Sequence, residues 1–181
     1  MKKRFLSALL VGCMTVALTA CGGASSGGAS SSGGASSGGD VVRLGIFEPS
    51  TGDSASGGKK EMLGIQYANT ETPTVEVGGK TYTVELVYAD NGSSSDKAPS
   101  AASELVGKDV ALVLGSYGSG VSMAGGPKFE EAGLAAMGIT CTNPNVTAGN
   151  DYYFRICFLD NFQADVLANF AMEKFGAKKA Y

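Results

Sequence analysis

The hydroxyl-bearing residues best placed to do chemistry in this chain fall in three short segments of small residues. They are Ser50-Thr51-Gly52, Gly115-Ser116-Tyr117-Gly118-Ser119-Gly120 and Thr140-Cys141-Thr142-Asn143. Each follows an apolar run that reads as a strand, so all three reach the carboxyl edge of one sheet, where open α/β folds bind ligands. Ser119 falls where a helix begins and is placed to cap it. The first N–H groups of a helix attract an anion such as a carboxylate. Gly118 and Gly120 let such a ligand approach the backbone. Capping alone accounts for Ser119 equally well, and a lone loop threonine such as Thr142 ordinarily bonds water or its own backbone. It is the three loops together that point to a ligand.

The chain has no histidine. That removes the commonest general base and metal ligand, and with it a Ser-His-Asp triad or a histidine-containing zinc site. Asp90 and Asp96 in one polar loop, and Glu130-Glu131 near a helix end, read as solvated carboxylates rather than a metal site. The glycines at 115, 118 and 120 have the wrong spacing for a dinucleotide loop, and no acidic residue ends a strand about 20 residues further on. No cofactor and no metal are expected. Asn91-Gly92-Ser93 and Asn145-Val146-Thr147 match a glycosylation pattern but read as ordinary turns.

The elements that must position these loops alternate in type. Val41 to Pro49 is a nearly continuous apolar run, as a strand buried on both faces requires. Lys59 to Asn69 has helical spacing. Val75 to Val77 and Tyr82 to Tyr88 flank Gly78-Gly79, which suits a tight hairpin. Helices are expected over Ala98 to Val106, with Pro99 in the first turn, over Val121 to Ala132 despite Gly125-Gly126-Pro127, and from about Asn161 to Phe175. Strands are expected at Val110 to Leu114, Leu134 to Ile139 and Tyr152 to Ile156, with another beginning at Ala177. Strands alternating with helices imply crossover units: an α/β fold with a doubly wound, mainly parallel sheet flanked by helices.

The first forty residues have a different purpose. Met1-Lys2-Lys3-Arg4, an apolar run from Phe5 to Leu18, and Leu18-Thr19-Ala20-Cys21 form the three parts of a secretory signal. The last of these resembles a bacterial lipobox, with Cys21 as the first mature residue and lipidation site. Gly22 to Gly39 contains only Gly, Ser and Ala, which suits a flexible tether. The expected location is outside the cell's cytoplasm, lipid-anchored to the outer face of the cytoplasmic membrane. Of 14 basic residues, Lys2, Lys3 and Arg4 leave with the signal, so 11 oppose 17 acidic ones. An acidic chain without a basic patch is a poor nucleic-acid binder. With Cys13 removed and Cys21 lipidated, Cys141 and Cys157 remain, and the compartment would permit their pairing without requiring it.

Thr51-Gly52-Asp53, Tyr88-Ala89-Asp90-Asn91, the Gly115 to Gly120 loop, Thr142-Asn143-Pro144-Asn145-Val146-Thr147, and Tyr153 to Asp160 with Phe162-Gln163 follow one another in order. In this arrangement the chain resembles the type I periplasmic binding proteins that serve branched-chain amino acid ABC transporters. The resemblance spans nearly all of Val41 to Tyr181. It implies a two-lobed protein that closes on a small ligand and hands it to membrane permease subunits, with no reaction catalysed. Ser119 and Thr142 would hold the α-carboxylate, and the Thr140 backbone carbonyl would meet the α-ammonium. An aromatic that some members place in the first loop falls near Gly57, where this chain has no side chain. The implied organisation is signal peptide at 1–20, lipidated cysteine and tether at 21–40, first lobe at 41–157, and the crossing to a truncated second lobe at 158–181. A ligand-sensing receptor of the same fold is the alternative, and an exported enzyme a further one that the lack of histidine disfavours.

Overall fold

A computed structural model describes residues 40–179. The signal segment, Cys21 and the whole Gly/Ser/Ala stretch lie outside the described residues, as do Ala180 and Tyr181. The elements are β1 (Val41–Glu48), α1 (Ala55–Glu71), β2 (Thr74–Val77), β3 (Lys80–Asp90), α2 (Ala98–Val106), β4 (Leu112–Leu114), α3 (Ser119–Glu131), β5 (Ala136–Gly138), a 3-10 turn at Pro144–Val146, β6 (Tyr153–Arg155) and α4 (Asp160–Phe175).

The six strands lie in the order β2-β3-β1-β4-β5-β6. All pairs are parallel except the β2–β3 hairpin, whose Gly78 and Gly79 have φ of +60° and +78°, as a two-residue primed turn demands. From β1 the chain travels outward to β3, returns across β1 to β4, and continues to β5 and β6. The direction reverses between β1 and β4, so the loops after those strands splay apart at the carboxyl edge. Right-handed crossovers then put α1 on one face and α2 and α3 on the other.

The core lies on the α2/α3 side. Phe47, Leu105, Val113 and Phe129 are fully buried there, and Phe47 meets Phe129 edge-on at 5.3 Å between ring centroids. Gly125 explains how α3 survives its glycines: a Cβ there would lie 2.6 Å from the Phe47 ring, so the close approach of helix to strand requires glycine. Pro127 sits inside the same helix.

On the other face α1 packs against β1. A cavity of about 610 Å³ lies between it and the sheet, bordered by Leu44, Ile65, Leu86, Leu114, Met137 and Ile156. α4 has no buried residue, and Phe162, Leu167, Phe170 and Phe175 are all more than half exposed. No described helix is long and apolar enough to cross a membrane.

Several boundaries differ from the sequence reading. α1 begins at Ala55 rather than Lys59, because Gly58 packs against Pro49, where a Cβ would come within 2.4 Å of the Pro49 carbonyl oxygen. β4, β5 and β6 are each three residues long, shorter than their apolar runs. Residues 177–179 form no strand. Cys141 is buried and Cys157 half-buried, and both are free thiols.

Candidate ligand site

The loop after β1 is fixed by Asp90, at the end of neighbouring β3. The Asp90 carboxylate accepts hydrogen bonds from the Ser50 N–H (2.9 Å), the Thr51 N–H (3.3 Å), the Thr51 hydroxyl (2.6 Å) and the Gly92 N–H (2.9 Å). Partial burial works against its charge, but these four donors outweigh it and hold its pKa at about 2. Asp90 is therefore a structural acceptor. Among the described residues no group of three His, Cys, Asp or Glu could hold a metal ion.

The loop after β4 is fixed from beneath. Asn91 is fully buried, and its amide donates to the Phe47 carbonyl (3.2 Å) and the Ser116 hydroxyl (2.9 Å). The Ser122 hydroxyl meets the backbone at Ser116 and Gly118. Gly115 has φ +115°, and a Cβ there would lie 2.4 Å from the Phe47 carbonyl oxygen, so no other residue fits. The buried Tyr153 hydroxyl donates to the Gly115 carbonyl at 2.7 Å.

Ser119 is the first residue of α3, not its cap. The cap position belongs to Gly118, at φ +106°, and no side chain caps the helix. The first N–H groups of α3 thus have no capping side chain to satisfy them. The Ser119 oxygen instead accepts from the Asn143 N–H at 3.2 Å. A hydroxyl that accepts there still has its proton to donate. This bond ties Ser119 to the residue that follows Thr142, and Ser119 and Thr142 are both half-buried. The Thr142 carbonyl accepts from the Asp160 N–H at 3.0 Å, which starts α4. Gly120 is exposed in the first turn of α3. Thr140 is exposed, and its hydroxyl is turned toward α1, where it donates to the Glu61 carboxylate.

Three features escape the sequence reading. Arg155, at the end of β6, donates to the carbonyls of Cys141 (3.0 Å), Asn143 (2.8 Å) and Pro144 (3.1 Å) and to the Thr147 hydroxyl (2.8 Å), and so fastens the whole loop. The Tyr117 ring fills the space beside Gly57, where a Cβ would lie 2.4 Å from it. The Tyr117 ring thus stands where the first loop has no side chain of its own. The third is Glu48, the charged residue that ends the apolar run Leu44 to Phe47, which is 1% exposed. That break in the run was the one signal available for it.

The site offers hydroxyls, uncapped helix N–H groups and an aromatic ring at one edge. This combination suits an anionic group joined to an apolar one.

A model of the periplasmic binding protein family matches residues 41–181. A Pseudomonas aeruginosa amino acid binding protein is 32% identical over 142 residues, covering 77% of this chain and 37% of that protein. Leu/Ile/Val-binding protein homolog 3 of Brucella melitensis is 30% identical over 139 residues, covering 76% of this chain and 38% of its own length. The leucine binding protein LivK of Thermotoga maritima superposes with a TM-score of 0.70 at 36% identity, over 76% of this chain and 39% of that one. The chain thus spans about two-fifths of the length of these relatives.

Proposed function

This chain belongs to the periplasmic binding protein family, and on that premise we propose that it binds an amino acid, branched-chain in class, for an ABC importer. Residues 41–157 act as the first lobe of an extracytoplasmic solute-binding lipoprotein, and residues from 158 onward lead to a second lobe. The exposed apolar face of α4 supports that division. Residues 1–20 act as the export signal, and Cys21 is the lipid anchor, at the head of the tether ending near residue 40. Membrane permease subunits receive the ligand, and no reaction is catalysed.

The observation that carries this reading is the Ser119–Asn143 hydrogen bond. It ties the loop that carries Thr142 to the uncapped start of α3, and in this reading both hydroxyls and the helix N–H groups meet a carboxylate. Gly118 and Gly120 keep that approach open. The Thr140 backbone carbonyl is the acceptor for the α-ammonium, a role its hydroxyl bond to Glu61 leaves available. The Tyr117 ring receives the aliphatic side chain.

The test is thermal unfolding of the chain as its gene encodes it, with Cys21→Ser, against leucine, isoleucine, valine and a panel of other amino acids. A ligand at 100 times its dissociation constant adds ~2.7 kcal/mol, a shift of several degrees. Stabilisation by the branched-chain set is expected. No shift with any amino acid in folded protein refutes the reading.

A further inference from the structure

The carboxyl edge of β1 holds two acids whose bonding does not close without a proton. Glu48 points to the α1 side of the sheet and is 1% exposed. One of its oxygens accepts from the Tyr117 N–H at 2.8 Å. The other, Oε1, is buried and meets no donor, and Oε2 of Glu61 on α1 is in the same condition. Both oxygens are buried acceptors without a donor, and Glu61 lies near enough to Glu48 to raise its cost of ionisation. Among the described residues, no lysine or arginine pairs with either. Two carboxylates offer acceptors alone, so these buried oxygens can satisfy each other only if one of them carries a hydrogen.

We propose that Glu48 and Glu61 share one proton, and that this acid–carboxylate pair is a strut that sets the spacing between the Tyr117 loop and the Thr140 loop. Glu48, the more buried, holds the proton and donates it to Glu61. Glu61 also accepts from the Thr140 hydroxyl. The chain of contacts runs from the Tyr117 N–H through both carboxyls to Thr140. It spans the two loops that flank the candidate ligand, so both glutamates act as positioning residues. Their effect on binding rests on the function proposed above; the shared proton does not.

The groups facing Glu48 are Glu61 on α1, Asp90 paired with it across β3, and Tyr153 on β6. None supplies a positive charge. Burial, with the Glu61 hydrogen bond and charge behind it, pushes the Glu48 pKa from 4.5 up to about 10, against the lowering effect of the Tyr117 N–H. The folded state therefore holds a proton that the unfolded state releases above about pH 4.5. Stability from this source is present in full below that pH and falls as pH rises toward 10.

The test compares wild type, Glu48→Gln and Glu48→Leu, each as the chain its gene encodes. Glutamine can accept from Tyr117 and donate to Glu61, whereas leucine can do neither. Unfolding wild type at pH 8 should release about one proton more than unfolding the glutamine variant, whose melting temperature should show a correspondingly flatter pH dependence. The infrared spectrum of wild type at pH 8 should show a protonated-carboxyl C=O stretch that the glutamine variant lacks. Leucine affinity should survive in the glutamine variant and fall about tenfold or more in the leucine variant. Absence of the infrared band, or equal pH dependence in wild type and the glutamine variant, overturns the proposal. So does stabilisation that follows sodium or potassium at constant ionic strength instead of pH. If no amino acid binds any variant, the proposed function fails, while the band and the proton count still decide the pair.

Discussion

The Ser119 side-chain oxygen and the Asn143 backbone N–H lie 3.2 Å apart, so the first residue of α3 holds the loop that carries Thr142. Removing the hydroxyl acts twice. Ser119→Ala should lower stability by about 1 kcal/mol, the net value of one hydrogen bond. It should weaken leucine binding by more, because a bond to a charged group is worth about 1.5–3 kcal/mol, or roughly ten- to hundredfold. Calorimetric titration against denaturation of the same protein separates the two effects. Loss of stability with unchanged affinity would make Ser119 a loop fastener only.

Arg155 should tolerate no substitution by lysine. Its planar fork serves three carbonyls and one hydroxyl at once, a geometry that a single ammonium cannot reproduce. Arg155→Lys leaves carbonyl groups of the 141–147 loop short of donors, and a destabilisation of about 2 kcal/mol is expected. Urea unfolding measures it.

Asp90 sets the acid limit of the first loop. Its folded pKa is depressed to about 2 from 3.8, so its contribution is present above about pH 4 and lost as pH falls toward 2. The melting temperature of wild type should therefore drop more steeply between pH 4 and 2 than that of Asp90→Asn. Parallel curves would show that the four donors do not favour the ionised form.

Two glycine substitutions should have opposite signs. At Gly125 a methyl group would press into the Phe47 ring, and overpacking of this kind costs about 1–3 kcal/mol. At Gly64, within α1, a methyl group meets nothing within 4 Å. Gly64→Ala should stabilise by about 0.5–1 kcal/mol through helix propensity. Thermal melts of the two variants against wild type read both signs directly.

The architecture was legible in the sequence because it depends on periodicity. Apolar runs such as Val41 to Phe47 alternate with helical spacing, and Gly78-Gly79 marks the hairpin. The family match covering residues 41–181 bears out the resemblance read from the loop motifs. What the sequence hid depends on contacts between distant residues. The α1 start at Ala55 follows from Gly58 meeting Pro49, and the ring beside Gly57 comes from Tyr117, 60 positions away. Ser119 looked like a cap because capping statistics describe serine near any helix start. Gly118 takes that position because its backbone is in a region serine rarely adopts. Arg155 gave no local sign at all, since its four acceptors lie 8 to 14 residues away.

Asn91 has a consequence for the entropy of recognition. Its side chain fastens the end of β1 to the loop after β4 inside the protein, and its own oxygen accepts from the Ser93 N–H at 3.2 Å. The loops around the candidate ligand are thus ordered when the lobe folds. Little loop freedom is left to lose when a solute arrives, which favours tight capture by so few polar groups.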